Sequence, residues 1–246
     1  NYQESHNDNL NGSYLGDANW LMFDYKRGYA PDIESSGIMD IFRLPKFSYY
    51  FYASQADNKP ILFIANYWND PACKEVKVYG NCDEVELYLN DKLIERRQPD
   101  KDVNSINLPH PPFTFNLQAF EEGTLVAKGF TDGQQVSLAK VKTPKEAHQV
   151  VLFADLSEKE MQANTNDVVF LYAYIIDAYG AKVPTNGTEV TFSVEGDAEL
   201  IGNNPRAAEA GIATILVKAG KSAGDIKVKA MAEGLEEGEL VITAIR

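Results

Sequence analysis

The chain has 246 residues, 44% of them hydrophobic and 11% aromatic, which is enough to form more than one buried core. Asp and Glu number 36 against 23 Lys and Arg, and the net charge of -13 repels nucleic acid backbones and anionic lipid surfaces. No apolar run approaches the roughly 20 residues of a membrane span, and the first residues lack the basic and apolar regions of a signal peptide. We therefore expect no nucleic acid partner and no membrane span.

The first 56 residues are mixed and rich in aromatic side chains, and they contain one predicted helix. Pro45 suits the first turn of a helix, and Phe47, Tyr50, Phe51 and Ser54 follow at helical intervals. This pattern predicts an amphipathic helix over residues 45–54 and no other helix in the chain.

A first all-β domain is predicted over residues 57–144. Its strands alternate polar and apolar residues, and Asn90-Asp91 and Asp132-Gly133 are typical of hairpin turns. Seven strands in about 85 residues indicate a β-sandwich. The predicted strands are 61–65, 75–79, 84–90, 93–97, 113–117, 125–131 and 136–141.

A second all-β domain is predicted over residues 145–246, after a short hinge that begins at Pro144. We expect a boundary between the two sandwiches at residues 141–149. The predicted strands are 150–154, 168–178, 189–194, 213–217, 226–232 and 240–244.

The motifs of the first 46 residues resemble a known family. Segments 16–25 and 36–46 are similar to the last βα unit of the catalytic barrel of glycoside hydrolase family 2, of the β-galactosidase type. The resemblance is carried by Trp20, Asp24, Gly37, Arg43, Pro45 and Lys46.

Two further segments extend the resemblance. Residues 78–92 look like the signature of the immunoglobulin-like domain that follows this barrel, although Asp91 stands where the family usually has Gly. Residues 191–202 and 208–213 are similar to a terminal domain related to invasin-type modules. The resemblance implies a mainly β fold: a remnant of a (β/α)8 barrel, its last strand and helix, in 1–56, then two immunoglobulin-like β-sandwiches in 57–144 and 145–246.

The resemblance implies a C-terminal portion of a retaining glycosidase. Such enzymes use two carboxyl groups about 5 to 5.5 Å apart, and in this family both are glutamates of earlier barrel strands. We therefore expect no catalytic residue, cofactor or metal site in this chain. The parent would bind a galactoside or another oligosaccharide, and a homo-oligomer and a periplasmic or secreted location are further expectations.

Two residues are candidates for substrate binding. An aromatic face at the end of a barrel strand can stack on a sugar ring, so Trp20 is either a sugar platform or a buried barrel tryptophan. Asp24 either binds sugar or braces a loop, and we favour the brace. Arg27 and Tyr29 are weaker candidates. The carboxylates of Asp32 and Glu34 are expected in a solvated loop rather than as the catalytic pair.

Other chemistry-bearing residues have ordinary structural interpretations. Trp68 either plugs one end of the first sandwich, which we favour, or lies on a carbohydrate-binding surface. Cys73 and Cys82 are expected to be small packed side chains rather than a disulfide. The three histidines are scattered and predict neither a metal site nor a triad.

Three functions remain open at the level of sequence. The leading one is the accessory β region of a β-galactosidase-type hydrolase. The alternative is a non-catalytic carbohydrate-binding or surface adhesion module, since such folds serve both purposes. A self-sufficient enzyme is the least favoured, because one βα unit cannot close a barrel. In the absence of a barrel, we expect the Trp20 segment to pair with a sandwich edge or another chain.

Overall fold

The computed structural model describes residues 1–12, 16 and 18–246. They form two compact units, Asn1–Thr143 and Pro144–Arg246. The first unit begins with two helices and two short paired strands. These are α1 (Tyr2–Leu10), β1 (Tyr25–Lys26), β2 (Ile33–Glu34) and α2 (Phe47–Ser54).

Helix α2 confirms the predicted helix, and its aromatic side chains pack against strands of the first sandwich. The Tyr50 ring lies flat on Phe63 with 3.6 Å between ring centroids, and Phe47 lies 5.6 Å from the same ring. Phe51 contacts Tyr79 edge-on at 5.7 Å. All three contacts join α2 to the first sandwich.

The expectation of a single helix was wrong, because α1 is also helical. Helix α1 has no long apolar stripe. The rings of Tyr2 and His6 contact α2, and amide hydrogen bonds join α1 to residues 103–107. Asn7 is 1% exposed. Its Nδ2 donates to the carbonyl of Val103 at 3.0 Å, and its Oδ1 accepts from the amide of Asn107 at 2.9 Å. Neither helix of the described residues is long and apolar enough to cross a bilayer.

The seven predicted strands of the first sandwich are confirmed. They are β3 (Leu62–Ile64), β4 (Glu75–Gly80), β5 (Glu84–Leu89), β6 (Lys92–Arg97), β7 (Phe113–Asn116), β8 (Thr124–Thr131) and β9 (Gln134–Lys142). One sheet has the order β3-β4-β7 and the other β6-β5-β8-β9, all antiparallel. Their facing apolar residues form one core, which includes Val76, Val85, Leu87, Phe113, Phe115 and Leu125.

Both predicted hairpin turns are two-residue turns with a left-handed backbone. Asn90 and Asp91 have φ of 51° and 63°, and Asp132 and Gly133 have φ of 50° and 75°. Two consecutive positive φ values match the right-handed twist of the flanking strands, so these turns fix the register of β5–β6 and β8–β9.

The second unit is a separate sandwich of nine strands. They are β10 (Ala147–Asp155), β11 (Met161–Gln162), β12 (Val168–Asp177), β13 (Glu189–Glu195), β14 (Ala198–Ile201), β15 (Arg206–Ala207), β16 (Ile212–Ala219), β17 (Gly224–Ala232) and β18 (Gly238–Ile245). The sheet orders are β10-β12-β16-β14 and β11-β18-β17-β13-β15. The six predicted strands are confirmed, and the three that the prediction missed have only two to four residues.

Candidate functional site

The Trp20 segment is held by its own downstream chain. Backbone hydrogen bonds run from the amide of Ile38 to the carbonyl of Leu21 (3.1 Å), from Met39 to Met22 (2.9 Å), and from Asp24 to Met39 (3.0 Å). The expectation that this segment pairs with a sandwich edge was therefore wrong, because Ile38 and Met39 already bond backbone groups of Leu21, Met22 and Asp24. Pairing with another chain stays a prediction. Asp17 of the motif lies outside the described residues.

Gly37 lets these two backbones approach each other. A Cβ atom at this position would lie 2.4 Å from the amide nitrogen of Asp24 and 2.5 Å from the carbonyl oxygen of Met39. Only glycine fits such a contact, because the neighbouring atoms are backbone and cannot move aside cheaply. This packing explains the glycine of the motif.

The carboxylate of Asp24 ties the segment to the start of α2. Its Oδ1 accepts a hydrogen bond from the amide of Gly37 at 2.8 Å and another from Nζ of Lys46 at 2.7 Å. Lys46 also donates to the carbonyl of Ser35 at 2.8 Å. We call these contacts the Asp24 brace. They use the buried Asp24 carboxylate internally, as a loop brace does.

Trp20 projects from this braced segment into solvent. Its side chain is 72% exposed, and its ring makes an edge contact with Tyr25 at 6.4 Å. The neighbouring Asn19 accepts a hydrogen bond from the hydroxyl of Tyr52 on α2, at 3.3 Å. An exposed tryptophan on a fixed backbone is available for stacking on a flat apolar ligand face.

The cationic side chains that follow Trp20 in the sequence have partners within the same segment. Arg27 forms an ion pair with Glu34, and Lys26 donates to the carbonyl of Pro31. Arg43 lies over the ring of Phe23, 3.8 Å from its centroid. Tyr29 is exposed and makes no contact that would fix it towards Trp20. Glu34 is therefore engaged by Arg27, and the expectation that Asp32 and Glu34 are not the catalytic pair stays a prediction.

Sequence reasoning missed the role of Lys46. The motif Arg-x-Pro-Lys contained it, but only the structure shows that it reaches back 22 residues to Asp24. The sequence did contain a signal for this contact: an aspartate among apolar residues, followed by a lysine at the start of the predicted helix.

Trp68 is buried in the core of the first sandwich, which is the interpretation that we favoured from the sequence. It is fully buried, contacts Phe120 with ring centroids 4.7 Å apart, and donates Nε1–H to the carbonyl of Glu121 at 3.0 Å. The alternative of a carbohydrate-binding Trp68 was wrong, because no face of its ring is accessible.

The cysteines and ionisable groups elsewhere show packing rather than catalysis. Cys73 is partly buried and Cys82 is buried, and the structure has both as free thiols. Burial raises the pKa of the Cys82 thiol to about 11, so it is protonated at neutral pH. Burial, and then the charge of Asp24, raise the pKa of Tyr2, whose hydroxyl donates to the carbonyl of Ser36. Within the described parts of the chain, no three His, Cys, Asp or Glu residues are grouped to hold a metal ion.

Comparison with known proteins connects these features to one family. Residues 152–241 match the glycoside hydrolase family 2 C-terminal domain 5, and residues 73–137 match a family described as a domain of unknown function. A β-galactosidase of Thermoanaerobacter pseudethanolicus is 34% identical over 242 residues, covering 90% of this chain. A β-glucuronidase of Formosa agariphila is 26% identical and covers 94% of this chain.

The solved structures agree on the fold. A β-glucuronidase from glycoside hydrolase family 2 superposes with a TM-score of 0.80 over 99% of this chain, at 24% identity. The chain spans 32% of the β-galactosidase, 25% of the Formosa β-glucuronidase and 27% of the superposed chain. The fold and the family matches together cover both sandwiches, and the chain is therefore a C-terminal region of glycoside hydrolase family 2.

Proposed function

We propose that this chain is the accessory C-terminal part of a retaining glycosidase that acts on β-galactosides, and that Trp20 stacks on the sugar at the rim of the active site. The observation that carries the proposal is the 72% exposure of Trp20 on a segment whose backbone is otherwise fixed. Large aromatic side chains are normally buried, and an exposed one on a rigid support is typical of a binding surface.

In this proposal Asp24 positions Trp20 rather than binding sugar. Its Oδ1 already accepts hydrogen bonds from Gly37 and Lys46, so a sugar hydroxyl would have to displace or share one of them. A braced backbone keeps the indole in one place, which lowers the entropic cost of stacking.

The charges around Trp20 favour a neutral sugar over a uronic acid. Residues 19–46 contain four cationic side chains, and each is engaged within the segment: Lys26 and Arg27 on the hairpin, Arg43 on Phe23, and Lys46 on Asp24. A glucuronate carboxylate would have to compete with these partners. The higher identity to a β-galactosidase than to a β-glucuronidase supports the same choice.

Hydrolysis requires a pair of catalytic carboxyl groups, which this proposal assigns to the rest of the enzyme. Retaining chemistry needs one carboxylate as nucleophile and one carboxylic acid as proton donor, about 5 to 5.5 Å apart. In the segment that carries Trp20, Asp24 is bonded to Lys46 and Glu34 to Arg27. We propose that this chain alone is inactive and that the catalytic carboxylates belong to the rest of the enzyme.

The two tryptophans make the proposal testable on this chain. Trp20 is exposed and Trp68 is buried, so their indole N–H signals can be followed separately by NMR. Titration with methyl β-galactoside should move the Trp20 signal and leave that of Trp68 in place, with a dissociation constant on the order of 10 mM for a single stacking contact. Methyl β-glucuronide should produce a smaller shift.

Two controls make the titration specific. The signal that moves should disappear in Trp20→Ala, and the solvent-facing Tyr29→Ala should leave the titration unchanged. An unmoved Trp20 signal at about 100 mM galactoside, ten times that dissociation constant, would exclude the platform.

A further inference from the structure

The peptide group between Ser36 and Gly37 is held at both ends. The hydroxyl of Tyr2, on α1, donates a hydrogen bond to the carbonyl of Ser36. The amide of Gly37 donates to Oδ1 of Asp24 at 2.8 Å. This carbonyl and this amide belong to the same planar peptide group, so Tyr2 and Asp24 together fix the rotation of that plane.

This peptide group lies beside the chain that carries Trp20. The following residue, Ile38, donates its amide to the carbonyl of Leu21 at 3.1 Å, and Leu21 is the next residue after Trp20. Gly37 also fits against the backbone of Asp24 with no room for a Cβ atom. A rotation of the 36–37 peptide group would therefore strain the hydrogen bond that fixes Leu21, and with it the backbone that carries the indole.

Helix α1 is a fixed support for Tyr2, because the neighbouring Gln3 ties it to the first sandwich. Nε2 of Gln3 donates to Oγ of Ser105 at 2.9 Å and to the carbonyl of Asn104 at 3.2 Å. Its Oε1 accepts a hydrogen bond from Nζ of Lys77, on β4, at 3.2 Å. Ser105 is fully buried, so the anchor of α1 ends on a packed side chain.

Ring contacts with α2 hold the Tyr2 side chain in place. Its ring meets Tyr52 edge-on with 6.1 Å between centroids, and Tyr52 also contacts His6, one turn further along α1, at 5.3 Å. Burial raises the pKa of Tyr2, and the charge of Asp24 raises it further. The hydroxyl therefore stays protonated at neutral pH and remains a hydrogen-bond donor.

We propose that Tyr2 is a positioning residue for Trp20, which holds the 36–37 peptide group against Asp24 and so transmits the anchoring of α1 to the segment that presents the indole. The value of this positioning for sugar binding rests on the proposed function of Trp20, whereas the contacts themselves do not. Because the Tyr2 hydroxyl donates its one proton to Ser36, it has none left for a ligand, and its role is support rather than contact.

Removing the hydroxyl tests the proposal directly. Tyr2→Phe should accelerate hydrogen exchange of the Gly37 amide about 2- to 12-fold, which corresponds to the loss of one neutral hydrogen bond. The indole N–H signal of Trp20 should move, and that of the buried Trp68 should not. Tyr29→Phe removes the same group from an 85%-exposed residue of the segment that carries Trp20 and should change neither the exchange rate nor the signal. An unmoved Trp20 signal in Tyr2→Phe would overturn the proposal, whatever the exchange rate.

A substitution outside this contact separates support by α1 from a local effect of Tyr2. Gln3→Ala keeps the Tyr2 hydroxyl but cuts the anchor to the first sandwich, so it should also accelerate exchange of the Gly37 amide and move the Trp20 signal. Ser5→Ala changes an exposed position of the same helix and should do neither. If Gln3→Ala left both quantities as they are in the unmodified chain, α1 would not be the support and the proposal would be wrong.

Sugar titration distinguishes a failure of this proposal from a failure of the proposed function. Tyr2→Phe should bind methyl β-galactoside about 2- to 12-fold more weakly than the unmodified chain, because the loosened backbone must be reordered on binding. If the unmodified chain bound no galactoside, the proposed function would fail, and the Gly37 exchange and Trp20 signal of Tyr2→Phe would still decide the role of Tyr2. If both chains bound galactoside equally well, Trp20 would remain the platform and Tyr2 would not position it.

Discussion

At the scale of single residues, the Asp24 carboxylate joins parts of the chain 13 and 22 residues apart. Its partners are a backbone amide and an ammonium group, and the carboxylate itself is almost fully buried. A buried charge of this kind contributes little if intact but is costly if left alone, because its desolvation is then not compensated. The Asp24 brace is therefore a positioning device whose loss should be local and measurable.

Replacing the ammonium partner tests the brace. Lys46→Met keeps the length of the side chain and leaves the Asp24 carboxylate with only the Gly37 amide, which should cost about 1 to 3 kcal/mol. Hydrogen exchange of the Ile38 and Met39 amides, which bond to the Trp20 segment, should accelerate about 5- to 150-fold, since local opening follows local stability.

The matched control for this variant is Lys218→Met. It removes a surface pair with Glu199 at 3.1 Å, and exposed pairs contribute little. Lys218→Met should change the free energy of unfolding by less than about 0.5 kcal/mol. If Lys46→Met and Lys218→Met lowered the free energy of unfolding equally, the Asp24 brace would contribute no more than an exposed ion pair.

Trp20 and Asp24 show the limit of residue-level prediction. The sequence did not decide whether Trp20 is buried or exposed. The residue type favours burial, whereas the resemblance places Trp20 at the end of a barrel strand, where a side chain can face the ligand. Its exposure depends on what covers it, and that information lies in the packing of residues 19–46 rather than in the local pattern. The burial of Trp68 was easier to predict, because a large ring between two strands of a sandwich is usually packed at one end of the core.

At the scale of elements, long strands were predictable and short or polar elements were not. The ten residues of β12 form a long run of β-branched, aromatic and other apolar side chains, whereas β11 and β15 have two residues each and no pattern to detect. Helix α1 was missed for a related reason. It is held by ring contacts with α2 and by amide contacts to residues 103–107, and the residues it contacts at 103–107 lie about 100 positions away in the sequence.

Asn7→Ala tests how α1 is held. The substitution improves helix propensity but leaves the Val103 carbonyl and the Asn107 amide without their partner, so α1 should detach locally at a cost of about 1 to 3 kcal/mol. Limited proteolysis should then cut within Tyr2–Leu10 before the sandwiches. Asn9→Ala, at an exposed position of the same helix, should be as resistant as the unmodified chain or more so. Equal resistance of both variants would exclude the amide contacts as the anchor.

At the scale of the whole molecule, the chain is mainly β and consists of two sandwiches preceded by a segment rich in aromatic residues. It belongs to the C-terminal region of glycoside hydrolase family 2, whose members matched here are about three to four times as long. Sequence patterns indicated the sandwiches, and the spacing of the motif from Trp20 to Lys46 indicated the family. That the first 56 residues are a barrel remnant stays a prediction. Which side chains of β12 face the core was not predicted, because residues on both sides of this strand are apolar.

The central claim is that this chain contributes to a glycosidase without carrying its catalytic pair. The most direct measurement is the release of nitrophenol from nitrophenyl β-galactoside by the purified chain at about 100 µM, far above a typical catalytic concentration. We predict no release above a buffer blank. Release that remains with the protein through successive purification steps, and that is lost in Glu34→Gln, would contradict the account and place an acid or nucleophile in the β1–β2 hairpin.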